Sequence, residues 1–156
     1  MTETTFNEQA ANEIVDNFGA RPEMLVQILH AFIERFAWIS EDAIRHLANK
    51  LNLSRADVHG VVSYYHDFRT APPGKHIVKV CQAEACQAMG SRELSAHAEN
   101  SLGVAMHASN EQVTLEPVYC LGNCACSPAV MIDGKTHGRV DAGRFDELVS
   151  AMSENS

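Results

Sequence analysis

The sequence predicts two domains of different class: an all-helical N-terminal bundle over residues 1–70 and an α+β or α/β domain over residues 75–156. Two observations carry this division. Apolar residues recur at helical spacing as far as Phe68, whereas short β-type runs dominate after Gly74. All the cysteines lie in the second half, and the junction Arg69-Thr-Ala-Pro-Pro-Gly74 interrupts any helix because Pro72 and Pro73 lack amide donors.

Within the first half, Glu8–Asn17 reads as a short leading helix. Pro22 suits the first position of the next helix, where its missing N–H costs nothing. That helix carries Leu25, Ile28, Leu29, Phe32 and Phe36 on one face. Ser40 is placed to cap a third helix with Ile44, Leu47, Ala48 and Leu51 inside. Ser54-x-x-Asp57 resembles a capping box with a shortened acid, followed by the stripe Val58, Val61, Val62 and Tyr65. Tyr64, Tyr65, His66 and Phe68 form an aromatic group at the end of the bundle, read as core packing and domain docking rather than cofactor stacking, and the bundle itself is read as a docking domain.

In the second half, His76–Val80 predicts a strand that ends at Cys81. A helix then opens at Cys86, runs through Leu94, Ala98 and Leu102, and closes at Gly103. Gln112–Tyr119 predicts a second strand ending at Cys120. Ala129–Ile132 and Lys135–Val140 flank Asp133-Gly134, a two-residue hairpin signal. The last helix has Asp141 as its cap and Phe145, Leu148, Val149 and Met152 on its inner face. The order β-α-β-β-β-α resembles a thioredoxin-like sheet, although the C-x2-C dithiol motif is missing. Both cysteine pairs fall at strand C-terminal ends, where loops of an α/β sheet converge.

Composition narrows the function classes. With 46% apolar and 21% charged residues the chain is ordinary for a folded protein, so disorder is not the default. A net charge of −8 argues against nucleic-acid binding, which needs a basic face. No apolar run approaches the ~20 residues of a membrane helix. The acidic start lacks the basic and apolar regions of a signal peptide, so a cytoplasmic location with reduced thiols is expected.

Cys81-x4-Cys86 and Cys120-x3-Cys124 hold the chemistry. Four readings compete: a 2Fe–2S cluster, structural zinc, a redox dithiol, and buried cysteines that pack as small apolar groups. The gaps are wider than the C-x2-C of most zinc ribbons. They suit a two-iron cluster, which takes two thiolates on each iron. A 4Fe–4S cluster would need a tighter run such as C-x2-C-x2-C. Cys126 leaves the second pair open between C-x3-C and C-x5-C. Gly122 and Pro128 favour Cys124, and Cys126 is read as an unligated thiol. The eight histidines are scattered, with only His137 in the later strands, and read as surface or packing residues. Gln82 and Glu84, inside the first pair, read as exposed.

These residues carry a family resemblance. CQAEACQAMGS with CLGNCACSPAVMIDG resembles the thioredoxin-like 2Fe–2S ferredoxins, a family that includes the small flavoprotein-fragment subunit of respiratory complex I. The helical stretch from Leu25 to Arg69 is similar to that family's N-terminal region, so the likeness spans nearly all of the chain after about residue 20. Within the family, CQAEACQAMG and CACSP look most like the gamma subunit of soluble NAD-dependent formate dehydrogenases; complex I and NAD-reducing hydrogenase subunits share the frame.

The resemblance implies Cys81, Cys86, Cys120 and Cys124 as ligands of one 2Fe–2S cluster, with Cys126 outside the frame. It implies a cytoplasmic multi-subunit complex in which this chain transfers electrons and has no catalytic site of its own. A beta-type partner would bind FMN and NAD. An alpha-type partner with a molybdenum or tungsten pterin would oxidise formate. The rival of another class is a zinc-bearing interaction adaptor, colourless and without a reducible centre.

Overall fold

The structure, a computed structural model, describes residues 5–154, so the predicted outer domain limits at residues 1 and 156 lie outside it. Two compact units divide between Pro72 and Pro73.

The first unit is helical: α1 (Glu8–Asn17), α2 (Leu25–Phe36), α3 (Glu41–Leu51) and α4 (Arg55–Tyr64). Each start is capped as its sequence dictates, except that of α2. The Asn7 side chain accepts from the Gln9 and Ala10 amides at 3.0 and 3.1 Å. Ser40 Oγ accepts from Ala43 N at 3.1 Å. Ser54 and Asp57 form a reciprocal capping box, each side chain accepting from the other's backbone N–H. Pro22 opens a 3-10 turn, Pro22–Met24, that leads into α2 rather than opening α2 itself. The core contains Ile28, Leu29, Phe32, Ile44, Leu47, Leu51, Val58 and Val62. At roughly 1.5–3 kcal/mol for each fully buried side chain, this stripe is what holds helices too short to stand alone. Tyr65 departs from the expected stripe: it is the extended residue after α4 and is exposed. Of the terminal aromatics Phe68 is buried and Tyr64 is 75% exposed, yet the rings pack in series, Tyr64 on Tyr65 at 5.1 Å and Tyr65 on Phe68 at 5.5 Å.

The second unit is a five-stranded mixed sheet with helices. Its strands are β1 (His76–Cys81), β2 (Ala108–Ser109), β3 (Val113–Val118), β4 (Ala129–Ile132) and β5 (Lys135–Gly138), in the order β2-β3-β1-β4-β5. β1 and β3 are parallel and the other pairs antiparallel. Asp133 (φ +47°) and Gly134 (φ +83°) make the β4–β5 turn with the positive φ at both positions that a tight hairpin favours. Three details differ from the sequence expectation. The helix after β1 is broken into α5 (Glu84–Ala88) and α6 (Ser91–Leu102), because Gly90 turns to φ +93° between them. Cys86 therefore lies inside α5 instead of opening a long helix. β2 is an extra strand, and β5 stops at Gly138, short of Val140. α7 (Ala142–Glu154) closes the unit, with Asp141 Oδ1 accepting from Arg144 N at 2.8 Å. The core consists mainly of Val78, Val80, Leu115, Val130, Val140 and Phe145, with Leu94 and Ala98 of α6.

Candidate metal centre

Sheet register brings the cysteine-bearing segments together. Cys81 pairs with Val118 in the parallel β1–β3 ladder, so both strands end at the same edge. Cys120 follows two residues beyond β3. Val80 pairs with Val130 in the antiparallel β1–β4 ladder, which starts β4 beside that edge. The connection from β3 to β4 must therefore pass the end of β1, and it carries Cys120, Cys124 and Cys126.

The thiols stand in two pairs of unlike exposure. Cys81 and Cys86 are each 2% exposed and near enough to perturb one another's ionisation, with Ala129 buried beside them and Ala83, Val118 and Leu121 packed around. Cys120 and Cys124 are exposed, with their sulfurs 4.0 Å apart. Cys86 and Cys124 are close enough to interact electrostatically, which links the two pairs. Among the described residues, no three His, Cys, Asp or Glu side chains converge as a single-ion site would require.

Backbone donors point at the sulfurs. The amides of Ala83 and Leu121 act to favour the charged form of Cys81, and that of Ala129 the charged form of Cys86. Gly122 N donates to Cys120 Sγ at 3.3 Å, and its φ of +72° is a conformation glycine adopts without cost. Cys120 itself has φ +144°, which L residues rarely adopt. Burial pushes the Cys81 thiol up against the pull of its amide donors. Burial also acts to raise Cys86, but its hydrogen bond with Ser127 and the neighbouring Cys81 thiol and Ala129 amide outweigh it and hold that thiol below its ordinary value. Cys124 is raised, first through its hydrogen bond with Cys120 and then through that neighbour's charge.

The remaining sequence candidates separate. Cys126 is half-buried in a 3-10 turn, Cys124–Cys126, and enters the loop's network through its backbone, donating to Asn123 O and accepting from Arg139 N. Glu84 is exposed. Gln82 is not: its Nε2 donates to Ser95 Oγ, and its carbonyl accepts from Gln87 Nε2 at 2.7 Å. His137 is partly buried, and that burial lowers its pKa. The serines were missed by the sequence reading. Ser91, fully buried, donates to the Cys81 carbonyl, and Ser127 donates to the Cys124 carbonyl. Ser91 shares the inner face of α6 with Leu94 and Ala98, a position where a serine needs a partner; that was the available signal.

The profile of the thioredoxin-like [2Fe-2S] ferredoxins matches residues 11–153. The chain belongs to this family. The E subunit of the NADH-quinone oxidoreductase of Pseudomonas aeruginosa is 31% identical over 128 residues, 81% of this chain and 77% of the relative. Its counterpart in Buchnera aphidicola is 30% identical over 129 residues, 81% of this chain and 75% of the relative. Among solved structures, an NAD+-reducing [NiFe]-hydrogenase in the air-oxidized state superposes on 85% of this chain with a TM-score of 0.70 at 20% identity, a likeness of fold alone. This chain spans 23% of that hydrogenase chain.

A thioredoxin-like [2Fe-2S] ferredoxin carries one 2Fe–2S cluster, and the donor set here is of the required kind. Two pairs of soft sulfur donors are available, amides aim at three of the four sulfurs, and small apolar side chains keep water from the inner pair. Among the described residues no helix is long and apolar enough to cross a membrane.

Proposed function

We propose that this chain is the electron-transfer subunit of a cytoplasmic NAD-dependent formate dehydrogenase complex, holding its cluster with Cys81, Cys86, Cys120 and Cys124. The observation that carries the ligand assignment is the pairing of these four thiols around the end of β1, one pair buried and the other exposed. When bound, a 2Fe–2S cluster supplies a one-electron couple. Cys81 and Cys86 grip from the dry side, where Ala83, Val118, Leu121 and Ala129 exclude water. Cys120 and Cys124 face outward, beside a Tyr119 that is 70% exposed, so a redox partner approaches from their side. The amides of Ala83, Leu121, Ala129 and Gly122 offset thiolate charge. That partner is a beta-type subunit with FMN and NAD, and a formate-oxidising alpha-type subunit with a molybdenum or tungsten pterin completes the complex. The residues CQAEACQAMG and CACSP support formate dehydrogenase.

The named relatives favour a second reading, the corresponding subunit of an NADH-quinone oxidoreductase; an NAD-reducing hydrogenase subunit, which shares the cysteine frame, is the variant of that reading. One anaerobic purification from the native host tests both levels. About two irons and two acid-labile sulfides per chain are expected; stoichiometric zinc without iron sinks the electron-carrier reading. Co-purification of formate:NAD+ activity supports the first complex, and hydrogenase or quinone-reducing activity supports the second.

A further inference from the structure

We infer that Ser127 tunes the reduction potential of this centre by swinging its hydroxyl hydrogen between the Cys124 carbonyl and the Cys86 sulfur. The inference rests on the 2Fe–2S reading above. Ser127 lies where the two thiol pairs meet. The Cys86 thiol donates to Ser127 Oγ at 3.5 Å, and Ser127 Oγ donates to the Cys124 carbonyl at 2.8 Å. A hydroxyl has one hydrogen to give and lone pairs to receive. With Cys86 as a thiol, the three groups are satisfied in series, from S–H to O–H to carbonyl.

A metal-bound thiolate has lost its hydrogen and only accepts. The Ser127 hydroxyl then faces two acceptors with a single hydrogen. The amides of Ala129 and Gly122 are fixed by the backbone and cannot change partner, whereas a serine hydroxyl turns about one bond. Hydrogen bonds to ionised acceptors are roughly twice as strong as those between neutral groups, so the choice depends on how negative the sulfur is. Adding an electron to the centre makes the Cys86 sulfur more negative and draws the hydroxyl from the Cys124 carbonyl. Cys86 is 2% exposed, so water does not substitute for that donor. The hydroxyl therefore favours the reduced state and raises the potential. Only the hydrogen of the hydroxyl moves, and no proton leaves Ser127.

The test uses the full chain prepared anaerobically, as wild type, Ser127→Ala, Ser127→Val and Ser127→Thr. Iron and sulfide in the wild type are measured first, since their absence defeats the 2Fe–2S reading and not the role of Ser127. Redox titration followed by electron paramagnetic resonance should then show the Ala and Val variants shifted about tenfold toward the oxidised form, about 59 mV for a one-electron couple, with Thr close to wild type. Pulsed resonance of the reduced wild type and Thr variant in deuterated water should show an exchangeable deuteron coupling that Val, of the same shape as Thr, lacks. Unchanged potentials in Ala and Val overturn the inference. So does failure of both to hold iron while Thr holds it, since that outcome marks a purely structural hydroxyl.

Discussion

Gly138 lies so close to Cys126 that a Cβ built on it would stand 2.7 Å from the Cys126 Cβ and 2.9 Å from the Cys126 carbonyl oxygen. The same Cβ would come within 2.6 Å of Asn123 Nδ2. Two backbone hydrogen bonds continue the contact, Arg139 N to Cys126 O at 2.7 Å and Val140 N to Pro128 O at 3.0 Å. The loop bearing Cys120 and Cys124 is thus laid directly on the end of β5, with no room for a side chain beneath it. Gly138→Ala must push this loop outward. Overpacking of this kind costs about 1–3 kcal/mol, and the expected result is a lower Tm with poor iron retention. Wild-type Tm and iron content in the variant would show that the loop yields freely.

Ser91 plays the corresponding part for the first cysteine pair. Its hydroxyl donates to the Cys81 carbonyl, while its own carbonyl accepts from Ser95 Oγ at 2.7 Å. Gln82 bonds Ser95, and Gln87, held by Arg92 Nη2 at 2.8 Å, bonds back to Gln82. The segment between Cys81 and Cys86 is therefore tied to α6 from several sides. Ser91→Ala leaves a buried carbonyl short of a partner, at about 1–3 kcal/mol. Faster bleaching of the visible absorbance under a chelator, with a lower Tm, is expected. Unchanged bleaching would assign Ser91 to packing alone.

Much of the fold was legible because its signals are local. Pro72-Pro73-Gly74 breaks the chain, Asp133-Gly134 turns the hairpin, and the Ser54–Asp57 box starts α4. The short β2 was not, since two residues display no alternation to read. Nor was the break between α5 and α6, because a glycine within a helical run is tolerated as often as it kinks. Strand ends at Cys81 and near Cys120 could be placed in one dimension, although β3 stops two residues earlier at Val118; their adjacency is a product of the parallel β1–β3 register. Spacing could not choose between Cys124 and Cys126. Ser91, Ser95 and Ser127 left even less trace, because a serine's partner is set by tertiary approach and not by its neighbours in sequence.

His46 in α3 predicts a pH dependence of the helical unit. Its side chain is 9% exposed, Nε2 has no hydrogen-bond partner among the described residues, and the Phe6 ring meets it edge-on at 5.6 Å. Burial holds its pKa below the ordinary value; Glu8, 4.0 Å away, acts against the shift and Lys50 acts with it. The unfolded chain thus takes up the proton first. Stability is full above the unfolded pKa of about 6.5 and falls as pH drops from there toward the lower folded value. Wild type should lose Tm as pH falls below about 6.5, and His46→Gln should lose less. Parallel curves for the two proteins would remove His46 as the cause.

The fifth thiol gives the sharpest contrast in the proposed ligand set. Cys81, Cys86, Cys120 and Cys124 interact through sulfur, whereas Cys126 holds its loop through its amide and carbonyl. A substitution that keeps the backbone should therefore spare the centre. In Cys126→Ala the iron content, visible spectrum and resonance signal should stay near wild type, with a stability change within about 1 kcal/mol. Serine at any of the other four positions exchanges a soft donor for a harder oxygen and should alter the spectrum or abolish loading. Cys81 and Cys86 are buried with small apolar neighbours, so their variants should lose the most iron, while Cys120→Ser and Cys124→Ser, at the exposed side, have room for a rearranged ligand. Loss of the signal in Cys126→Ala, with retention in Cys124→Ser, would move the fourth ligand from Cys124 to Cys126.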